Sequence, residues 1–202
     1  MKVYVESNFL LELTLSQEQH ESCEKIVELC VTGMHSLALP AFCIPESFYA
    51  LVGKARTRKK LAVDLQAESG QLSRSSFHQD RVVELERAAA LLSRSIATEE
   101  AQFHSRAAEF LRHATLLPLD AATLDASGSL RATGVMPQYF DSLVLGSVLV
   151  DLRTSSSVAS CFLNRNRSDF DDPQIVAMLA ELGCKSVFNF DDGLAYLASQ
   201  TS

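Results

Sequence analysis

The sequence predicts an α/β fold, a parallel sheet covered by helices on both faces, and three observations carry that prediction. Short runs rich in Val, Leu, Phe and Tyr recur along the chain, helical patterns of more than ten residues separate them, and polar residues follow the runs directly. An antiparallel neighbour needs only a hairpin, whereas strands joined by long helical crossovers lie parallel and are buried on both sides.

The bulk numbers agree with a packed domain. At 202 residues, 47% hydrophobic and 21% charged, the chain is long enough to bury a substantial core, and one domain with an insertion is the default. Its net charge of −7 provides no chain-wide positive field, so any contact with a polyanion must be local. The five cysteines, Cys23, Cys30, Cys43, Cys161 and Cys184, are odd in number and form no CxxC pair, which argues against a disulfide framework and a zinc knuckle. They read as small buried hydrophobes. No signal-peptide pattern follows Met1 and no apolar run approaches the ~18 residues of a membrane span, so a cytoplasmic protein without membrane contact is expected.

The elements follow in order. Val3 to Val5 is a β-branched and aromatic run, and Leu10, Leu11 and Leu13 continue at once into a helix over 8–14. Ser16 with Gln19 three residues on reads as a capping box for a helix over 17–31, which Gly33 stops. Leu37 to Pro40 is the second strand, and Pro45 marks the start of a helix carrying Glu46. From Lys54 to about His113 the apolar spacing is helical throughout, with Gly70 and Ser73 to Ser76 as a break and Asp80 and Thr98 as N-caps, so a three-helix insertion over 54–113 is expected within a single domain over 1–202. Leu116 to Leu119 is the third strand, Asp120 caps the next helix, and Pro137 opens the helix that holds Asp141. Val158 to Leu163 is the fourth strand, the polar loop 164–172 follows it, and Pro173 starts a helix that Gly183 ends. Ser186 to Phe190 is the fifth strand, before a last helix.

In sheets of this kind ligands collect beyond the carboxyl ends of the strands, so polar residues just after each strand matter most. Four acids meet that test: Glu6 after the first strand, Glu46 in the first turn after the second, Asp141 at the start of the helix before the fourth, and Asp169 in the loop after it. Crowded carboxylates repel unless cations compensate them, and oxygen-only donors select hard ions such as Mg²⁺ or Mn²⁺. Two such ions ~4 Å apart activate water and stabilise the leaving oxygen of a phosphodiester.

The segments Val3 to Leu11, Pro45 to Phe48, Asp141 to Leu145 and Asn164 to Phe170 resemble, in order, the four signature segments of the PIN-domain (VapC-like) nucleases, over the whole chain except the inserted helices. The resemblance implies a PIN-like, Rossmann-like nuclease fold with Glu6, Glu46, Asp141 and Asp169 as catalytic residues and as ligands of Mg²⁺ or Mn²⁺. Asn8 and Asn166 match positions that support those ligands. It further implies a metal-dependent endoribonuclease acting on RNA, commonly a homodimer, and in some members the toxin of a toxin–antitoxin pair held by an antitoxin partner. The chain departs from the pattern at the first acid, where the family has aspartate and this sequence has Glu6, one methylene longer. That departure motivates a rival expectation, a catalytically weakened PIN-like scaffold that binds protein or RNA.

Other features keep two readings open. The basic run Lys54, Arg56, Arg58, Lys59 and Lys60 either guides a phosphate backbone or is a solvated helix face, and Arg165 and Arg167 either clamp a phosphate or pair with Asp169, Asp171 or Asp172. Asp172 reads as an N-cap and Asp171 as a substitute ligand. Tyr139 and Phe140 offer a base-stacking face, with one of them expected in the core. The five histidines show no metal spacing and are expected at the surface, and the absence of GxSxG, GxxxxGK[ST] and GxGxxG argues against a hydrolase elbow, a P-loop and a dinucleotide site.

Overall fold

In the computed structural model, which describes residues 1–155 and 159–200, β1 (Lys2–Val5), β2 (Ser36–Pro40), β3 (Ala114–Leu117), β4 (Ser160–Leu163) and β5 (Cys184–Val187) form one sheet in the order β3-β2-β1-β4-β5. Every pairing is parallel. The chain steps outward from central β1 to β2 and β3, then returns past β1 to β4 and β5. Its direction of travel therefore reverses beside β1, and the crevice beyond the carboxyl ends of β1 and β4 is where such a sheet gathers ligands. Val5 pairs with Leu163 across that junction, which brings Glu6 and Asn164 to neighbouring strand ends. Of the predicted fourth strand, Val158 lies outside the described residues.

The helices are α1 (Ser7–Leu15), α2 (His20–Val31), α3 (Cys43–Leu72), α4 (Val82–Phe110), α5 (Ala121–Ala132), α6 (Tyr139–Thr154), α7 (Arg167–Phe170), α8 (Pro173–Glu181) and α9 (Phe190–Ser199). Two compact units result, one of Met1–Ser47 with Arg106–Ser202 and one of Phe48–Ser105. The first contains the sheet. The second is helical, built from parts of α3 and α4 and the 3-10 turn Gln79–Arg81 between them. It holds two long helices where three were predicted. Thr98 does not cap a new helix, because its hydroxyl bonds back to the Arg94 carbonyl at 3.1 Å inside α4 and the backbone ladder continues.

A second correction concerns Ser16. Instead of capping α2 it closes α1 in a left-handed conformation, φ 49°, with its N–H on the Glu12 carbonyl. The reciprocal partner is engaged elsewhere. Gln19 gives its N–H to the Glu12 carboxylate at 2.8 Å, and its side-chain oxygen accepts from Phe190 N–H at 3.1 Å. Tertiary contacts thus override a local capping pattern. Other punctuation is as predicted: Asp120 caps α5 through Thr123 N–H at 2.9 Å, Asp172 caps α8 through Gln174 N–H at 2.7 Å, and Gly33 and Gly183 take positive φ after α2 and α8.

The core sits between sheet and helices. Val3, Tyr4 and Val5 of β1 and Cys161, Phe162 and Leu163 of β4 are wholly buried, as befits strands covered on both faces. The Phe9 ring packs against Phe110 and Phe190 at 6.0 and 5.2 Å. Helices α5 and α6 approach closely at Gly146, where an added Cβ would lie 3.1 Å from both Ser127 N and Thr123 O. Backbone cannot yield as a flexible side chain can. Gly146→Ala is therefore expected to destabilise the fold by about 1–3 kcal/mol, measured by urea unfolding; an unchanged midpoint would show that the two helices can part without cost. Among the described residues no helix is long and apolar enough to cross a membrane.

Candidate functional site

Glu6 leaves β1 in extended conformation and is at once the N-cap of α1, its carboxylate accepting the Asn8 N–H at 2.9 Å. The residue is 5% exposed, and its buried Oε1 has no hydrogen-bond partner among the described residues. Burial pushes its pKa up to about 7; the N–H groups of Asn8 and Arg165 oppose the rise, and the charge of Glu46 adds to it.

Glu46 stands in the first turn of α3 and its carboxylate accepts a hydrogen bond from the hydroxyl of Ser7, the residue after Glu6. Burial raises its pKa and the Ser7 hydroxyl restrains the rise. The Ser47 hydroxyl is 3.2 Å from the Ser7 carbonyl, which fixes the start of α3 to the start of α1. Cys43 is wholly buried beside this pair, and burial, then the charges of Glu6 and Glu46, push its thiol well up.

Asp141 reaches the same end of the sheet through helix geometry. Near the far end of α6, Asp151 accepts from Lys2 Nζ at 2.5 Å and from Tyr4 Oη at 2.6 Å, both on β1. Asp141 lies ten residues earlier, about 15 Å along the helix at 1.5 Å per residue, and so stands towards the carboxyl ends of the strands. Burial raises its pKa to about 6, with further contributions from the charges of Asp169 and Glu46.

Asp169 belongs to α7, a single turn pinned by Phe170, whose buried ring meets Phe162 of β4 edge-on at 5.4 Å. The Asn166 amide donates to the Asp169 carboxylate at 2.5 Å, and Ser168 donates to Asn166 Oδ1 at 2.7 Å.

Charge links the four sequence-predicted acids in pairs: Asp141 feels Asp169 and Glu46, and Glu6 feels Glu46. Among the described residues none of the four is ion-paired. Nor are three or more His, Cys, Asp and Glu side chains gathered closely enough to chelate an ion as they stand. Ser7 holds Glu46 and Asn166 holds Asp169 in hydrogen bonds that fix where those carboxylates point. A cavity of about 500 Å³ lined by Leu13, Val27, Phe110 and others contains none of the four.

Sequence reasoning passed over Asn164. It follows β4 directly, is wholly buried, and has neither amide atom hydrogen-bonded among the described residues, while its backbone N–H extends the ladder to Val187 O at 3.0 Å. A buried amide without partners costs roughly 1–3 kcal/mol, and this one ends the strand beside that of Glu6. The test that selected the acids, polarity just after a strand, would have found it had it not been restricted to carboxylates.

Four expectations need correction. Arg165 pairs with neither Asp169, Asp171 nor Asp172; it donates to Glu12 and, at 3.2 Å, to Glu18. The Glu12 side chain is only 2% exposed, so removing that guanidinium would leave a buried carboxylate without its ion-pair partner. Arg165→Ala is expected to cost about 3 kcal/mol in urea unfolding, partly recovered in Arg165→Lys; a loss no greater than that of a surface substitution would mean Glu12 is solvated. Among the described residues Arg167 likewise pairs with none of these acids and instead lies over the Phe188 ring at 6.0 Å. His35 is buried, not exposed, with Nδ1 3.4 Å from the N-terminal amine, and burial lowers its pKa. Tyr139 and Phe140 are both exposed, so neither enters the core.

Comparison with known proteins gives no match: no family model, no curated protein and no solved structure matches the chain.

Proposed function

We propose that the chain is a PIN-like, metal-dependent endoribonuclease whose site is formed by Glu6, Glu46, Asp141 and Asp169. The observation that carries this reading is electrostatic. At the carboxyl end of a parallel sheet the charges of Asp169 and Glu46 bear on Asp141 and that of Glu46 on Glu6, and among the described residues no ion pair relieves them. Folding tolerates such repulsion where a ligand compensates it. The donors are all oxygen, which suits Mg²⁺ or Mn²⁺, and the buried Glu6 Oε1 has no hydrogen-bond partner among the described residues. In donor chemistry the four residues fit such an ion.

Glu6, Glu46, Asp141 and Asp169 would hold a divalent ion, which would supply there the Lewis acidity and water activation that phosphodiester hydrolysis requires. The protein's own contribution is orientation. Ser7 aims Glu46, Asn166 aims Asp169, and Asp151 sets the height of α6 and with it Asp141. Asn164 lies buried at the same end of the sheet, its amide without a hydrogen-bond partner among the described residues.

The test is cleavage of single-stranded RNA by stringently purified protein in Mn²⁺ and in EDTA, with Mn²⁺ binding followed by calorimetry. Cleavage in Mn²⁺ alone, with heat of binding, supports the proposal; RNA left intact in both overturns it. One observation favours a second reading, a PIN-like scaffold that binds protein or RNA without cutting: among the described residues the carboxylates are not gathered into a chelating group of three. Absence of both Mn²⁺ binding and cleavage, with a partner still bound by the Glu46→Gln/Asp141→Asn double variant, would select it.

A further inference from the structure

We propose that Phe42, Tyr139 and Phe140, with Arg131, form a stacking platform for an unpaired nucleobase of single-stranded RNA beside the carboxylates. The inference rests on the nuclease reading and adds how substrate is held. Phe140 immediately precedes Asp141 in the first turn of α6, and Phe42 immediately precedes α3, its carbonyl accepting the Glu46 N–H at 3.2 Å. The platform thus joins the two helix starts that carry two of the acids.

The rings are already ordered. Phe42 and Phe140 stack with centroids 5.2 Å apart and planes 26° from parallel, Tyr139 leans on Phe140 at 5.7 Å, and the Arg131 guanidinium lies over Tyr139 at 5.0 Å. Although Phe42 covers one side of it, Phe140 remains 54% exposed, and Tyr139 is 49% exposed. Adjacent aromatic side chains left half-exposed in the first turn of the helix that carries Asp141 form a contiguous apolar patch, the kind of surface that marks a binding site. An exposed protein-docking patch would also be apolar, but two features favour a base. Every base has a π-face that a preordered ring accepts at little entropic cost. Arg131, held on Tyr139, places a positive charge where the chain is otherwise acidic, and a phosphate beside the stacked base would meet it.

The chain contains no tryptophan, so Phe140→Trp introduces a single fluorescent reporter. The full-length parent, Phe42→Ala, Phe140→Ala and Phe140→Trp are titrated in EDTA with a labelled single-stranded oligoadenylate and with an abasic strand of equal length, and cleavage kinetics are measured in Mn²⁺. The expected results are binding weakened about tenfold in Phe140→Ala, restored in Phe140→Trp, and tryptophan fluorescence quenched by the oligoadenylate but not by the abasic strand. In cleavage, KM should rise while kcat stays within about twofold. Equal binding by all four proteins overturns the platform, as does equal quenching by the abasic strand. Phe140→Ala that leaves binding intact but changes sedimentation marks a protein interface and also overturns it. If the parent cuts RNA while Phe42→Ala and Phe140→Ala cut with unchanged KM, only the platform fails. Base-dependent quenching without any cleavage sustains the platform and removes the nuclease reading.

Discussion

Asp141→Asn is expected to abolish most RNA cleavage and, at the same time, to make the protein more stable. Loss of a supporting residue around a bound metal typically costs 10–100-fold, so loss of a ligand itself should lower cleavage in Mn²⁺ by at least ~100-fold. Stability should move the other way. Burial, Asp169 and Glu46 together hold the Asp141 carboxyl at about 6, so at pH 8 in EDTA the native state carries a charge it disfavours. Asparagine keeps the shape and removes that charge. Opposite movement of activity and stability distinguishes an acid retained for function from one retained for folding. The measurements are initial cleavage rates in Mn²⁺ and the urea midpoint at pH 8 in EDTA. A variant that cuts RNA at the parental rate would dispose of the proposed mechanism, and one that is less stable would make Asp141 a structural residue.

The positions of these acids were legible in the sequence because the central strands were. β1, β2 and β4 are buried and appear as unbroken apolar runs, which places the polar residues after them to within a residue or two. The edge strands were less legible. β3 was expected at Leu116 to Leu119 but spans Ala114–Leu117, and both Leu116 and Leu119 are exposed. β5, at the opposite edge, was expected at Ser186 to Phe190 and spans Cys184–Val187. An edge has less burial to enforce an apolar pattern, so hydrophobicity alone misplaces its register.

Local chemistry was legible only where no distant group competed for it. Asp120 and Asp172 cap their helices as their spacing implies. Ser16 and Gln19 show an equally good pattern, but Glu12 on the preceding helix and Phe190, remote in sequence, claim Gln19. Likewise Arg165 shares its loop with Asn166 and Asp169, yet it pairs with Glu12 of α1. The exposure of Phe140 and the burial of Asn164 invert the usual preferences of those residue types. Residue type alone points the wrong way on burial at both positions, although position in the sequence marks each, Phe140 beside Asp141 and Asn164 directly after β4.

Glu6→Gln should give the largest gain in stability, and the gain should depend on pH. In the native state the Glu6 carboxyl titrates at about 7, against an ordinary value of 4.5. A carboxyl raised on folding binds more protons in the native than in the unfolded chain between those two values. Stability of the metal-free protein must therefore fall as pH rises from about 4.5 to 7 and then level off. The difference between the two values corresponds to an upper bound of about 3 kcal/mol above pH 7. Glutamine cannot ionise and still accepts the Asn8 N–H, so in EDTA the variant should exceed the parent by up to that amount at pH 8 and match it near pH 4. The field of Glu6 on Glu46 disappears with it, which reinforces the direction. Mn²⁺ should narrow or reverse the gap, because binding to the native state stabilises the protein that retains the fourth carboxylate more strongly. Urea unfolding at pH 4, 6 and 8, with EDTA and with Mn²⁺, measures each part. A parent as stable as the variant at pH 8 in EDTA would mean that Glu6 is comfortable as an anion without an ion, and a gap unmoved by Mn²⁺ would mean that no ion is held there. The buried charge of Glu6 thus becomes measurable as a cost in stability, and its response to Mn²⁺ tests whether an ion is held there.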